Sequence, residues 1–235
     1  MKRNNSDSKK YYIKSAGQSG RTAPFAVVEA YKSVRTNLMF LLSQSRSRAF
    51  EVSSSHPGEG KTTCAINLAI AFSQLGSKVL LIDGDLRRPT VYRKLRLENS
   101  KGLSSVLVGF ASFAESVISV NDNFDVLTSG PITPNPSELL GSDNMSLLLK
   151  ELKLTYDYII IDTPPVNVVS DAVVLAAKTE GIVMVVQDRQ TTHDDFGKAV
   201  DALKFADANL LGVILNGSAE AGEKYSSKSK KYGYY

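Results

Sequence analysis

Ala49-Phe-Glu-Val-Ser-Ser-Ser55-His-Pro57-Gly58-Glu59-Gly60-Lys61-Thr62-Thr63 is the stretch on which the fold turns. Its first residues, Ala49–Ser53, are apolar and β-prone, and from Thr62 to Leu75 the chain takes on helical character. A glycine-bearing loop ending in Lys-Thr, set between a strand and a helix, is a P-loop. Backbone N–H groups at such a helix start cradle phosphate oxygens in the field of the helix dipole. Gly58 and Gly60 allow the backbone to close round the anion, Lys61 is expected to reach the β- and γ-phosphates, and the Thr62 hydroxyl to ligate Mg²⁺. Pro57, Glu59 and Thr63 complete the expected nucleotide-binding loop. Ser55 stands where the pattern has its first glycine.

Outward from this loop, short apolar runs alternate with helical stretches. The runs are Ala49–Ser53, Lys78–Ile82, Asp125–Leu127, Tyr158–Ile161, Ile182–Val186 and Leu211–Leu215. Helical stretches are Thr62–Leu75, Met145–Leu154, Asp171–Lys178 and Asp194–Phe205. Runs such as VLLI, YIII and IVMVV suit strands covered on both faces, and their alternation with helices implies a parallel sheet. The expected fold is therefore α/β of the P-loop NTPase type: one domain, with a mostly parallel sheet flanked by helices on both faces. The domain is expected over residues 24–216, opening with an amphipathic helix over 24–44 whose apolar positions are Val27, Tyr31, Val34, Leu38 and Leu41. Residues 1–23 and 217–235 lack such patterning and read as flexible tails.

Two strand ends carry acid. VLLIDGDLRRP places Asp83 and Asp85 one residue apart, and YIIIDTPP ends on Asp162. In a parallel sheet the C-terminal strand ends share one edge, where ligands bind. Asp83, Asp85 and Asp162 are thus expected to converge on the Mg²⁺ beside Thr62, some of them through water, since Mg²⁺ keeps much of its hydration.

The 235-residue chain carries a net charge of +4, unevenly spread. Residues 1–23 sum to +5 and residues 217–235 to +2, leaving a core of −3. Basic tails suit an anionic lipid surface, a nucleic acid or an acidic partner, or simply keep the ends soluble. A single cysteine, Cys64, excludes an internal disulfide. No apolar run reaches the roughly 18 residues of a membrane span, and the polar N-terminus does not suit a secretory signal. The expected location is cytoplasmic.

PGEGKTT, LLIDGDLRRP, the SGPITPNPSELL stretch at 129–140 and IIIDTPP, in this order, resemble the bacterial tyrosine kinases. The likeness is to the cytoplasmic kinase subunit of capsular or exopolysaccharide export systems of Gram-positive bacteria. It implies an ATP- and Mg²⁺-dependent protein-tyrosine autokinase recruited to the inner face of the cell membrane. Its implied partners are a transmembrane adaptor of the polysaccharide co-polymerase type, tyrosine-bearing protein substrates and further copies of itself in a ring, with no nucleic acid. Asp83 is then the base for the attacking phenol, with Asp85 and Asp162 holding metal, or Asp83 and Asp85 exchange these roles; Arg87 neutralises phosphate charge or forms a structural ion pair. Asn216 is implied as an adenine contact. The acceptors would be Tyr225, Tyr232, Tyr234 and Tyr235, four of ten tyrosines within the last eleven residues. The 19-residue tail 217–235 would extend roughly 60 Å, far enough to enter a neighbour's site. Glu29, Lys32 and Arg35 match the family's oligomerisation pattern, with lysine at its first arginine, and are expected on one helix face.

Asp195-Phe196-Gly197 spells a metal motif of eukaryotic kinases, but the other parts of that machinery are missing around it, and Asp194 and Asp195 are read as helix caps. Rival readings are a partitioning or septum-type switch ATPase and a non-catalytic, ATP-gated scaffold. The first usually carries a second lysine early in the P-loop, where this chain has Ser54-Ser55-His56. The second would bind ATP without forming phosphotyrosine.

Overall fold

The computed structural model describes residues 24–43 and 48–218. Seven strands form one sheet in the order β3-β4-β2-β5-β1-β6-β7. They are β1 (Ala49–Ser54), β2 (Val79–Asp83), β3 (Val117–Asn121), β4 (Phe124–Leu127), β5 (Tyr158–Asp162), β6 (Ile182–Gln187) and β7 (Leu210–Asn216). Every pairing is parallel except that of β3 with β4.

The central strands bury both faces, and period two sorts their side chains between two cores. Phe50, Val52, Leu81, Val126 and Ile160 face α1 (Phe25–Leu41) and α2 (Lys61–Ser73). Their neighbours Leu80, Ile82, Ile159 and Ile161 join Leu103 of α4 (Leu103–Leu107), Leu140 of α6 (Pro136–Gly141) and Met145, Leu148 and Leu149 of α7 (Asp143–Leu152). On the flank, α8 (Asp171–Ala176) and α9 (His193–Phe205) supply Ala172, Ala199 and Leu203 against Ile182 and Met184. Each fully buried Leu or Ile contributes about 1.5–3 kcal/mol. Two further short helices, α3 (Val91–Leu95) and α5 (Phe113–Ser116), lie in the β2–β3 connection.

Three expectations need correction. The antiparallel edge strand β3 was not anticipated: its residues are all partly exposed, so VISVN lacks the buried apolar run that marks the other strands. The apolar face of α1 is turned by about one residue. Val28, Tyr31, Val34 and Leu38 pack inward and Leu42 follows them, whereas Leu41 is exposed. Lastly, Glu29, Lys32 and Arg35 do not share one face. Each three-residue step falls about 60° short of a full turn, so Arg35 is rotated about 120° from Glu29. Lys32 pairs with Glu29 at 2.7 Å on the outside. Arg35 is buried and donates from Nη1 to the Ala71 carbonyl at 2.7 Å. It braces the end of α2 within its own chain.

Candidate active site

The P-loop folds as its composition demands. Gly58 and Gly60 adopt φ of +92° and +100°, a region favouring glycine. Gly60 is doubly constrained, because a Cβ there would lie 2.2 Å from Asn216 Nδ2. Ser55 is absent from the positive-φ residues, so glycine is not needed where the pattern has its first one. The N-terminus of α2 has no side-chain cap, which leaves its N–H groups to a phosphate. Around the loop runs a polar brace. Glu59, 4% exposed, accepts from the His56 amide at 3.0 Å and from the Thr191 hydroxyl. Asn216 Nδ2 donates to the Glu59 carbonyl at 2.9 Å and to Gln187 Oε1 at 3.1 Å. Asn216, expected at the adenine, thus ties β7 to the P-loop, and Glu59 acts as a scaffold under it. Lys94 Nζ holds the Thr63 hydroxyl at 3.1 Å.

Three carboxylates surround Lys61. Its Nζ lies 3.0 Å from Asp85 Oδ2 and 3.4 Å from Asp162 Oδ1. Asp83 and Asp162 are direct partners in the register of β2 and β5. Gly84 permits this: its amide donates to the Asp162 carbonyl at 2.8 Å, and a Cβ would meet Ile161 at 2.9 Å. Asp83 Oδ2 accepts the amides of Thr90 and Val91, at 3.2 and 3.0 Å, where α3 begins. Asp83 Oδ1, Asp162 Oδ2 and Ser55 Oγ are buried with no partner among the described residues.

Burial drives the Asp83 carboxyl well above the ordinary carboxylate range, and the facing Asp162 pushes it the same way. Asp162 is raised by its own burial, with Lys61 opposing. For Lys61 burial works against the charge, but Asp162 and Asp85 outweigh it and the ammonium holds its proton more tightly than usual.

Orphaned buried oxygens beside an uncapped helix start fit a metal–nucleotide. The three aspartates do not form a ready cage: among the described residues no cluster of His, Cys, Asp and Glu is arranged to hold a metal unaided. Asp83 is turned to the α3 amides, Asp85 and Asp162 share Lys61, and the Thr62 hydroxyl lies 3.1 Å from that of Thr90. Phosphate oxygens and water would have to complete the shell, as is usual for Mg²⁺.

Arg87 forms the ion pair foreseen as one of its two roles. Its Nε and Nη2 engage Asp171 at 2.8 and 3.0 Å, and Ser137 Oγ donates to the same carboxylate at 2.5 Å. Asp171 and Ser137 were missed as partners, although Ser137 lies in the quoted NPSELL run; nothing in linear order links positions 87, 137 and 171. The Asp195-Phe196-Gly197 triplet is structural. Thr192, rather than Asp194 or Asp195, caps α9; Asp195 pairs with His56 at 3.2 Å, and Phe196 packs on the flank core. Tyr225, Tyr232, Tyr234 and Tyr235 lie outside the described residues.

Among the described residues no helix is long and apolar enough to cross a membrane. An AAA domain family model matches residues 47–205. The chain is 45% identical to the tyrosine-protein kinase YwqD of Bacillus subtilis, over 88% of its own length and 85% of the relative's. Among solved structures it is similar to the chimerical protein CapA2B2, with TM-score 0.76 and 41% identity over 80% of this chain and 83% of that one. It is also similar to the kinase domain of the Escherichia coli tyrosine kinase ETK, with TM-score 0.79 and 32% identity over 87% of this chain and 84% of that one. The P-loop, the paired strand-end aspartates and these likenesses agree: the chain belongs to the bacterial tyrosine kinases, P-loop enzymes that use ATP with a divalent metal.

Proposed function

We propose that the chain is an autokinase that moves the γ-phosphoryl of ATP, with Mg²⁺ as the metal, to the C-terminal tyrosines Tyr225, Tyr232, Tyr234 and Tyr235 of a neighbouring copy. The observation that carries this reading is the state of Asp83. One of its oxygens is held by two amides while the other is buried without a partner among the described residues, beside Lys61 and the P-loop.

Mg²⁺ bound here would supply positive charge against that developing on the transferring phosphoryl group. Thr62, Asp85 and Asp162 are the residues to hold it, with water and phosphate in the remaining positions. Lys61 leaves its carboxylate partners for the β- and γ-phosphates, and the α2 N–H groups surround the same oxygens. The transferring group needs positioning and charge stabilisation more than covalent help. Asp83 Oδ1 accepts the phenol proton as the tyrosine oxygen attacks, and the raised proton affinity of this carboxyl suits it to that role. Asp85 is less suited, since it is among the residues to hold the metal and its Oδ1 already accepts the Arg88 amide at 2.9 Å. Arg87 holds the loop after β2 to α8 through Asp171.

The setting we infer is capsular or exopolysaccharide export, at the inner face of the cell membrane, with a transmembrane adaptor of the polysaccharide co-polymerase type as activator. The name of the CapA2B2 chimera supports a two-part system, as does the resemblance in the sequence. If a ring of copies forms, Glu29 and Lys32 face outward to serve it, whereas Arg35 is committed inside the chain.

The test is incubation of the purified chain with Mg-ATP, with and without an adaptor C-terminal peptide, followed by phosphotyrosine mapping by mass spectrometry. Phosphate on the four tail tyrosines, absent from a Lys61→Met sample, is the expected result. ATP hydrolysis with an unmodified tail in both conditions overturns the autokinase reading.

A further inference from the structure

Residues 1–23 hold Lys2, Arg3, Lys9, Lys10, Lys14 and Arg21 against Asp7 alone, and they precede a domain of opposite sign. Within them Lys9, Lys10 and Lys14 bracket Tyr11, Tyr12 and Ile13, so two aromatic rings and a branched aliphatic chain sit among cations. The segment lies outside the described residues, but the fold decides where it is attached. Tyr31 of α1 donates at 3.4 Å to Cys64 Sγ, in the first turn of α2. Arg35, one turn further along α1, donates to the Ala71 carbonyl near the end of α2. The contacts advance together along both helices, so α1 runs in the same direction as α2. Because α2 starts at the P-loop, Pro24 stands at the catalytic edge of the sheet, and residues 1–23 join the domain there. Phe25, the first residue of α1, is 62% exposed at this root. The same edge carries Arg88, exposed and without a side-chain partner among the described residues, above a cavity of about 540 Å³ with no acid in its walls.

We infer that residues 1–23 are a lipid anchor, which binds the anionic headgroups of a bilayer and holds the catalytic edge toward that surface. Lysine ammoniums are drawn into the field of an anionic leaflet, while aromatic rings and an aliphatic chain among them seat at the boundary of headgroups and acyl chains. Charge separates the roles of the two parts. Residues 1–23 carry +5 and residues 24–216 carry −3. The bilayer attracts the first and repels the second, so the domain is tethered and not laid flat. Pro24 is eleven positions from Ile13. That stretch spans at most about 36 Å, which bounds the distance between the catalytic edge and the lipid. A nucleic acid offers the same negative charge, but its phosphates are best matched by the guanidinium fork, and four of the six cations are lysines. Ile13 has no ring to stack on a base. This contact is the chain's own: it needs neither adaptor nor ATP, and it stands or falls apart from the autokinase reading.

The test floats the purified full chain, without adaptor or ATP, with vesicles of phosphatidylcholine alone or mixed in equal parts with phosphatidylglycerol. Binding to the anionic vesicles is expected to be stronger by at least about a hundredfold and to weaken as salt is raised. Lys9→Gln, Lys10→Gln and Lys14→Gln together should weaken it about 100-fold, at about fivefold for each cation near the surface. Tyr11→Ser, Tyr12→Ser and Ile13→Ser together should weaken it by about tenfold and leave its salt dependence unchanged. For orientation, a dye is placed on Val168→Cys, in the loop after β5, or on Leu154→Cys, at the opposite edge, and transfers energy to an acceptor in the headgroups. Cys64 is buried and does not compete for the dye. Transfer should be stronger from position 168. Equal binding to both kinds of vesicle, or a triple lysine variant that binds as the unchanged chain does, overturns the anchor. So does a single-stranded oligonucleotide that strips the chain from anionic vesicles at a lower phosphate concentration than the lipid presents, which would assign the segment to nucleic acid. Equal transfer from the two dyes overturns the orientation.

Discussion

The two ends of the same three strands treat charge in opposite ways. At the N-terminal end of β1, β2 and β5 the carboxylates are matched, although Arg48, lying over the Tyr158 ring, has a buried Nε without a hydrogen-bond partner among the described residues. Glu180 accepts the Ala49 amide at 2.6 Å and pairs with Lys153 at 3.0 Å, and Asp157 accepts the Lys78 amide at 2.8 Å. At the C-terminal end, Asp83 and Asp162 are wholly buried, face each other in register, and each leaves an oxygen without a partner among the described residues. Buried polar groups are normally satisfied, so an end that leaves them open is shaped for something that arrives later. The lesson is that one sheet can be built for stability at one edge and for ligand at the other.

The contrast can be broken most sharply at Lys61. Lys61→Met should cut tyrosine phosphorylation by about 10³–10⁵-fold, the scale on which a cation at a transferring phosphoryl group acts. It should also lower Tm, because Asp85 and Asp162 lose their shared counter-charge; a thermal melt beside the kinase assay reads both. Asp83→Asn comes next. Phosphotransfer should fall by about 10²-fold or more, as expected for loss of a general base. Yet Tm at pH 7 should rise, because the ionised carboxylate is disfavoured in the folded chain by burial and by Asp162. A drop in both activity and Tm would show that Asp83 serves mainly as an anchor for α3.

At the opposite edge the signs are exchanged. Glu180→Ala should cost about 1–3 kcal/mol in a denaturant titration, because it strands the Ala49 amide and Lys153. Turnover at saturating ATP should be unchanged, and a tenfold loss of activity would refute the division between the two edges.

The smallest effect sharpens the boundary between them. Glu51 lies buried in β1, its Oε1 accepting from Thr179 at 3.2 Å and its Oε2 without a partner among the described residues. Burial raises its pKa well above the ordinary carboxylate value. A carboxyl whose folded pKa is raised is favoured when protonated, so its destabilising effect sets in as pH rises through the unfolded value, near 4.5, and is complete above the folded one. Glu51→Gln should therefore raise Tm by a few degrees at pH 7 and by nothing at pH 4, measured by thermal melts across that range. A uniform shift at both pH values would mean that Glu51 is a packing element and not a titrating one.

Much of the architecture was legible because local rules decide it. Strand–loop–helix around Lys61, continuous apolar runs for buried parallel strands and acid at strand ends all depend on neighbours in sequence. Where the linear signal is weak, packing decides. β3 is a half-exposed edge strand without a buried run, and the apolar stripe of α1 runs through Val28 and Leu42 where periodicity alone predicts Val27 and Leu41. Asn216 ends the last strand, and linear order conceals its contacts: it lies 157 residues from Glu59, whose carbonyl it meets, and 29 from Gln187.

The sequence by itself determined the class of sheet, the phosphate loop and the family, because hydrophobic periodicity, glycine conformation and short motifs act over a few residues. Only the tertiary structure decided that Arg35 braces α2, that Arg87 belongs to Asp171 and Ser137, and that Arg88 stands without a partner among the described residues above a cavity with no acid in its walls. A long cationic side chain can reach many places. Which carboxylate or carbonyl it meets depends on where distant elements cross, and that is set by packing the whole sheet.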